Sequence, residues 1–237
     1  MPNRARLARE RAHAEVSAEI RRVARDQLAE VGAPALSLRA VAREMGMAPS
    51  ALFRYLPNKD ALLTALIIES YDELGEAAEQ AEAAVHTEPV TARWSAICHA
   101  VRRWALDHPH EYALVYGSPV PGYVAPQDTV GPATRVARLL SALLGDALRE
   151  GLEPPTGPPT EETAARLHAT IAPVRADLPD EVPDELVVRG LMAWTYLFGA
   201  VSFEVFGHRT FGVLDDPAAF FDYEAGLVAR LLGIMPT

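Results

Sequence analysis

The chain is poor in cysteine, in lysine and in long apolar runs, and the shortages exclude several classes of protein. A single thiol, Cys98, in 237 residues leaves no internal disulfide and no cysteine-cluster metal site, and it suits a reducing cytosol. The longest apolar run, Leu191 to Phe203, lasts 13 residues before Glu204. A helix crossing a bilayer needs about 20, so this run is expected to be a buried helix. The opening segment MPNRARLARERAHAEV has arginines but no apolar core followed by a small-residue cleavage site. Export is therefore not expected, and a cytoplasmic location is. Lysine occurs once, as Lys59, among 22 basic residues, a bias typical of GC-rich coding that carries no chemistry. Period-two alternation is missing throughout, which argues against strands.

Charge is present but unevenly spread. Residues 1–60 hold 11 Lys+Arg and 7 Asp+Glu, a net of +4; residues 61–237 hold 11 and 25, a net of −14. A small basic head thus precedes an acidic body. The overall pI of about 5.2 does not exclude nucleic acid, because phosphate neutralisation is local to the surface that docks.

Helical periodicity accounts for nearly the whole length. Val16, Ile20, Val23, Leu28 and Val31 form the apolar face of a first helix that Gly32 stops. Ser37 is placed to cap a short second helix, LRAVAREM, which ends at Gly46. After a turn of at most four residues, Pro49 suits the first position of a third helix, PSALFRYL. Pro57 ends it, and Asn58 caps a fourth helix reaching about Ala84. Further on, Trp94, Ile97, Cys98, Val101, Trp104 and Ala105 share one face of a helix broken at Asp107-His108-Pro109. A segment from Glu111 to Tyr116 leads into a Gly/Pro-rich loop, GSPVPGYVAPQDTVGP, long enough to be mobile. Val136 to Leu148 mark another helix, and GLEPPTGPP is a linker. Helices then follow from Glu161 to Ile171 with Thr160 as cap, from Asp184 to about Phe206, and from the Asp216-Pro217 start to the end. The fold class is all-α, with about nine or ten helices: an N-terminal helix-turn-helix domain at 1–60, and a larger helical domain at 61–237.

Two helices joined by a glycine turn have the geometry that sets a recognition helix in the major groove, although amphipathic helix pairs are common in helical proteins. The run SLRAVAREMGMAPSALFRYLPNKDALL, Ser37 to Leu63, is dense and ungapped in its likeness to a known signature: it resembles the TetR family of bacterial regulators, over roughly residues 10–75. WTYLFG at Trp194 to Gly199, followed by aromatics and a Gly-His, is similar to the tryptophan-to-glycine motif of one group of TetR ligand domains. The resemblance implies a sequence-specific, ligand-released repressor, not an enzyme, that binds a palindromic operator as a homodimer through its last two helices.

It also assigns residues. Ser37 would contact a phosphate from the start of the second helix, a role compatible with capping. Pro49, Ser50 and Ala51 would meet base edges, and Arg39 and Ala48 belong to the same DNA-facing set. Ser50 can exchange a hydrogen bond with a base, whereas Ala51 offers only apolar contact. Arg54 and Tyr55 would face phosphate or bases, and Lys59 would pair with phosphate beside the helix dipole; solvated surface charge is the plainer alternative for Arg54 and Lys59. Phe53 departs from the family's usual tyrosine, loses that hydroxyl contact, and is expected as a core aromatic. The arginines at 4, 6, 9 and 11 fit either an arm along DNA or a frayed, solvated terminus.

In the body, Trp94, Cys98, Trp104, Tyr112, Tyr116, Tyr123, His168, Trp194 and Phe198 are candidates to line an effector pocket, each also readable as plain core. Their character suggests an apolar or aromatic effector; neither a cofactor nor a metal is implied. The fourth helix, shared by both domains, is the natural lever. Two rivals stand beside this reading. One is a DNA-binding protein without effector, for which so large a body is excessive. The other is an enzyme seeded at Asp107-His108-Pro109-His110, where no third metal ligand is spaced nearby and a helix break explains the sequence.

Overall fold

Local signals set most helix boundaries, and packing decides which faces are covered. In the computed structural model, which describes residues 4–153, 160–175, 178, 182–209 and 214–235 (backbone alone at 4 and 5), every regular element is a helix. α1 spans Arg4–Ala35 and is interrupted at Gly32, where φ is 72°. It is regular from Arg4, so Arg6, Arg9 and Arg11 ride on helix rather than on a frayed end. Val31, expected on the apolar face, is 51 % exposed, one turn past Leu28, the last buried residue of that stripe before the break.

α2, Leu38–Glu44, follows Ser37, and the four-residue turn after it contains Gly46 at φ 64°. The Gly46 N–H bonds the Arg43 carbonyl at 3.1 Å and the Met47 N–H bonds Ala42 at 2.8 Å, which satisfies the last carbonyls of α2 and needs the left-handed residue at 46. α3, Pro49–Leu52, is shorter than expected. Beyond it the Arg54 and Tyr55 amides bond carbonyls three residues back, so the chain tightens into turns before Pro57. α4, Lys59–Ala83, starts where Asn58 Oδ1 accepts the Ala61 N–H at 2.8 Å.

Seven more helices follow: α5 (Val90–Asp107), α6 (Pro109–Tyr116), α7 (Val130–Ala133), α8 (Arg135–Arg149), α9 (Glu161–Arg175), α10 (Asp184–Val205) and α11 (Pro217–Leu232). The additions to the expected set lie inside the Gly/Pro-rich loop: a 3-10 turn at Gln127–Thr129 and α7, a single turn that follows it. Thr160 Oγ1 and Asp216 Oδ1 accept the Thr163 and Ala219 amides, as caps should. Of the expected linker GLEPPTGPP, residues 154–159 lie outside the described residues.

The chain packs as two compact units, Met1–Glu73 with His108–Ala133, and Leu74–Asp107 with Thr134–Thr237. The first reaches beyond the division drawn at residue 60 and includes a segment more than thirty residues downstream of its own helices. Its core joins Ile20, Val23 and Leu28 of α1, Val41 of α2, Leu52 of α3 and Leu62, Leu63 and Leu66 of α4, and Leu114, Val120 and Tyr123 pack onto it. The Tyr123 and Thr64 hydroxyls lie 2.9 Å apart and Thr129 is buried, so the loop expected to be mobile is pinned to this core. Arg25 bonds Glu69 at 3.1 Å and Glu73 at 2.5 Å, and Arg21 pairs with Glu69, tying α1 to α4.

In the second unit α10 packs against α5, α8, α9 and α11. The buried Arg93 guanidinium contacts Glu82 and Asp146, each at 2.6 Å. Burial opposes ionisation of Glu82, but hydrogen bonds from His86 and Arg93 outweigh it and hold the carboxyl below its usual range; Asp146 is lowered in the same way by Arg93 and Arg149. The run from Leu191 to Phe203 is only half buried. Leu197, Phe198 and Val201 are core, whereas Met192 and Phe203 are more than half exposed, because the helix is apolar on two faces and the fold covers one.

Candidate nucleic-acid interface

The helix-turn-helix stands on Leu52, which is fully buried and anchors α3 while its neighbours face water. Ala48, Pro49 and Ser50 are exposed and Ala51 is half-buried. Pro49 occupies the first helical position, where its missing N–H costs nothing. Ser37 sits at the N-cap position of α2, half-buried, yet its hydroxyl makes no cap bond, so plain capping does not account for it. Arg39 and Arg54 are exposed and form no ion pair among the described residues. Arg43, four residues after Arg39 on the same solvent face of α2, shares that state. It was missed, and its i,i+4 spacing from Arg39 is the signal that could have found it.

One expectation is corrected, and two of the assigned residues prove to have internal contacts too. Phe53 is 44 % exposed, not core, because Leu52 takes the inward position and the tightening chain turns Phe53 outward. Tyr55 is half-buried against the head core, with its ring 4.6 Å from the His13 ring of α1. Lys59 donates from Nζ to the Pro34 carbonyl at 2.6 Å, so its ammonium also ties α4 to the end of α1.

The sequence counted Arg21, Arg22 and Arg25 toward a basic head, but internal carboxylates engage all three. Apart from the arginines of the first turns of α1, what remains outward is a small set around α2 and α3: Arg39, Arg43 and Arg54 with the Ser50 hydroxyl and a ring at Phe53. Cationic donors beside short, low-bulk side chains can bind phosphate and let the backbone come close to base edges.

The nine aromatic, thiol and imidazole candidates divide between the units. Tyr112, Tyr116 and Tyr123 belong to the first; Tyr112 is fully buried and stacks on Tyr116 at 5.0 Å, which in turn meets Tyr71 edge-on. Burial pushes the Tyr71 and Tyr116 hydroxyls up. Trp94, Cys98, Trp104, His168, Trp194 and Phe198 belong to the second. Trp94 is buried with Nε1 donating to the Ala225 carbonyl at 2.9 Å, and burial raises the Cys98 thiol well above its ordinary range, which makes it a poor nucleophile. Trp194 and Phe198 lie 5.4 Å apart. His168 is exposed and paired with Asp184 at 2.9 Å, away from any core.

The second unit also carries an exposed apolar strip. Phe220, Tyr223, Leu227 and Leu231 recur along one face of α11, and Tyr223 is 63 % exposed. Beside it Tyr196 of α10 has its hydroxyl pushed up to about 12 by burial and by Glu224.

Two family models match the chain: bacterial regulatory proteins of the tetR family over residues 20–66, and the tetracyclin repressor-like C-terminal domain over residues 94–228. HTH-type transcriptional regulators of Mycobacterium bovis and Mycobacterium tuberculosis are 36% identical over 227 residues, which is 93% of this chain and 94% of each relative. Among solved structures, the regulatory protein SCO4313 superposes with a TM-score of 0.76 at 32% identity, covering 93% of this chain and 98% of that one. The TetR family transcriptional regulator PfmR of Thermus thermophilus shares the fold at a TM-score of 0.58 and 15% identity, over 89% and 97% of the two chains.

Proposed function

Since the chain belongs to the TetR family and is a DNA-binding transcriptional regulator, we propose that it works in the cytoplasm as a homodimeric, effector-released repressor of a palindromic operator. The observation that carries the DNA half is the outward set on α2 and α3, whose cations are left without internal partners while Leu52 fixes the helix beneath them. Ser50, Ala51, Ala48 and Pro49 are assigned to base edges, and Ser37, Arg39, Arg54 and Lys59 to phosphates. Phe53 is free to touch a thymine methyl or sugar, and Tyr55 to support the recognition segment.

The exposed strip on α11 with Tyr196, Met192 and Phe203 of α10 supports dimerisation, since so much apolar surface on one face costs free energy until a second copy covers it. Two such heads on a two-fold axis bind one operator with combined affinity. For the effector, Trp94, Cys98, Trp104, Trp194 and Phe198 remain assigned to an apolar or aromatic ligand, with Tyr112, Tyr116 and Tyr123 placed to respond in the head unit. His168, exposed and ion-paired, is the weakest of the nine. The effector favours a spacing of the heads that no longer fits successive major grooves, with α4, shared by both units, as the lever.

Fluorescence-anisotropy titration against the protein's own upstream intergenic DNA tests this reading. Specific, salt-sensitive binding that Arg54→Ala weakens is the expected result, and binding no tighter than to random duplex would count against it.

A further inference from the structure

From residue 4 to residue 14 the chain carries four arginines against one glutamate; this stretch forms the first three turns of α1, and residues 6–14 of it are exposed. Arg6, Arg9 and His13 are spaced three and four apart, hence on one face of the helix, and with Glu10 and Ala14 they line a shallow groove. His13 fixes where that face points. Its ring lies tilted, 4.6 Å from that of Tyr55, the residue that follows Arg54 after the recognition helix. Arg6 lies seven residues from His13, about 10 Å along the helix, or roughly three base-pair steps at about 3.4 Å per step. Arg11 is on the opposite side of the helix from Arg9, since two residues turn it by about 200°.

We propose that the first turns of α1 are an accessory clamp on the DNA backbone, in which Arg6 and Arg9 bind phosphates flanking the major groove occupied by α3. The occupant is the phosphate backbone of the same duplex. Charge complementarity supports it, and so does the continuity from α3 through Tyr55 to the Arg6/Arg9 face. Glu10 pairs with Arg6 at 3.5 Å, but both side chains are more than half exposed, so a phosphate displaces the carboxylate at little cost. This contact reads no sequence, and it lengthens the footprint beyond the base edges that α3 covers.

The inference rests on the DNA-binding reading above, and its test keeps the two separable. Full-length protein, R6Q/R9Q and R11Q are titrated by anisotropy at several salt concentrations against the upstream intergenic duplex and a random duplex of equal length, after circular dichroism confirms equal folding. R6Q/R9Q should weaken binding to both duplexes by a similar factor, about 10-fold. It should also reduce the slope of log K against log salt by about 2 to 4 per dimer, at about 0.9 per phosphate contact, while R11Q keeps the slope. An unchanged slope in R6Q/R9Q, or an equal loss in R11Q, overturns the clamp. An unmodified protein that does not prefer the intergenic duplex, while R6Q/R9Q still lowers the slope on random duplex, would count against the operator reading and leave the clamp standing.

Discussion

The two units answer the same question, which surface to leave unsatisfied, in opposite ways. The first encloses a small aliphatic core, engages Arg21, Arg22 and Arg25 internally, and keeps cations and small side chains outward on α2 and α3. The second buries its charge, with Arg93 set between Glu82 and Asp146, and leaves aromatic and aliphatic side chains in water along α11. An exposed cation is well solvated and can wait for a phosphate, whereas an exposed apolar strip cannot wait without cost. The contrast suits the two partners proposed above, a DNA that comes and goes and a second copy that would stay.

The contrast is broken most severely at its most buried charge. Arg93→Ala removes the buried cation between Glu82 and Asp146, leaving them only the more exposed His86 and Arg149, and should cost the second unit about 3 kcal/mol, read as a lowered Tm. In the unmodified protein both carboxyls titrate below their ordinary values, 4.5 for Glu82 and 3.8 for Asp146. Their contribution is therefore fully present above about pH 4.5 and is lost as pH falls through the depressed values. A Tm measured from pH 7 down to 3 should turn downward there, and less so in the variant. Next in size, Tyr223→Asp with Leu227→Asp on the apolar strip should yield monomers by sedimentation and weaken operator binding by about 100-fold, because each head then binds alone. If operator affinity survives in a monomer, the proposed dimer is wrong. Arg54→Ala should cost about 10-fold in affinity with Tm unchanged, as expected of a side chain that holds no internal partner. The smallest effect belongs to Tyr123→Phe. It removes the hydrogen bond to Thr64 and should destabilise the first unit by about 1 kcal/mol, visible as faster amide exchange in α6 and the loop.

Features written within a few residues were legible in the sequence. Asn58, Thr160 and Asp216 cap as expected, Gly46 takes the conformation its turn requires, and the six-residue apolar face of α5 is buried throughout. Contacts between distant segments were not. Nothing local says that Glu69 and Glu73 neutralise Arg21 and Arg25 more than forty residues earlier, so the charge tally credited the head with cations it spends internally. Phe53 was misplaced for a related reason: four residues of regular helix and then a tighter turn rotate it away from where continuous helix would have put it. The outward set on α2 and α3 was nearly complete from the sequence, with Arg43 the omission.

The passage of residues 108–133 into the first unit also bears on the order in which the protein is made. A head confined to residues 1–60 could close as soon as its three helices left the ribosome. This one has Leu114, Val120 and Tyr123 packed on its core, so its last cover waits for more than a hundred residues of chain, through the whole of α5. Contacts of such sequence separation fold slowly, and the segments that supply them emerge between helices of the other unit. The head is therefore fully covered only after α5 has been made, and a chimera that exchanges heads at residue 60 would separate its core from that cover.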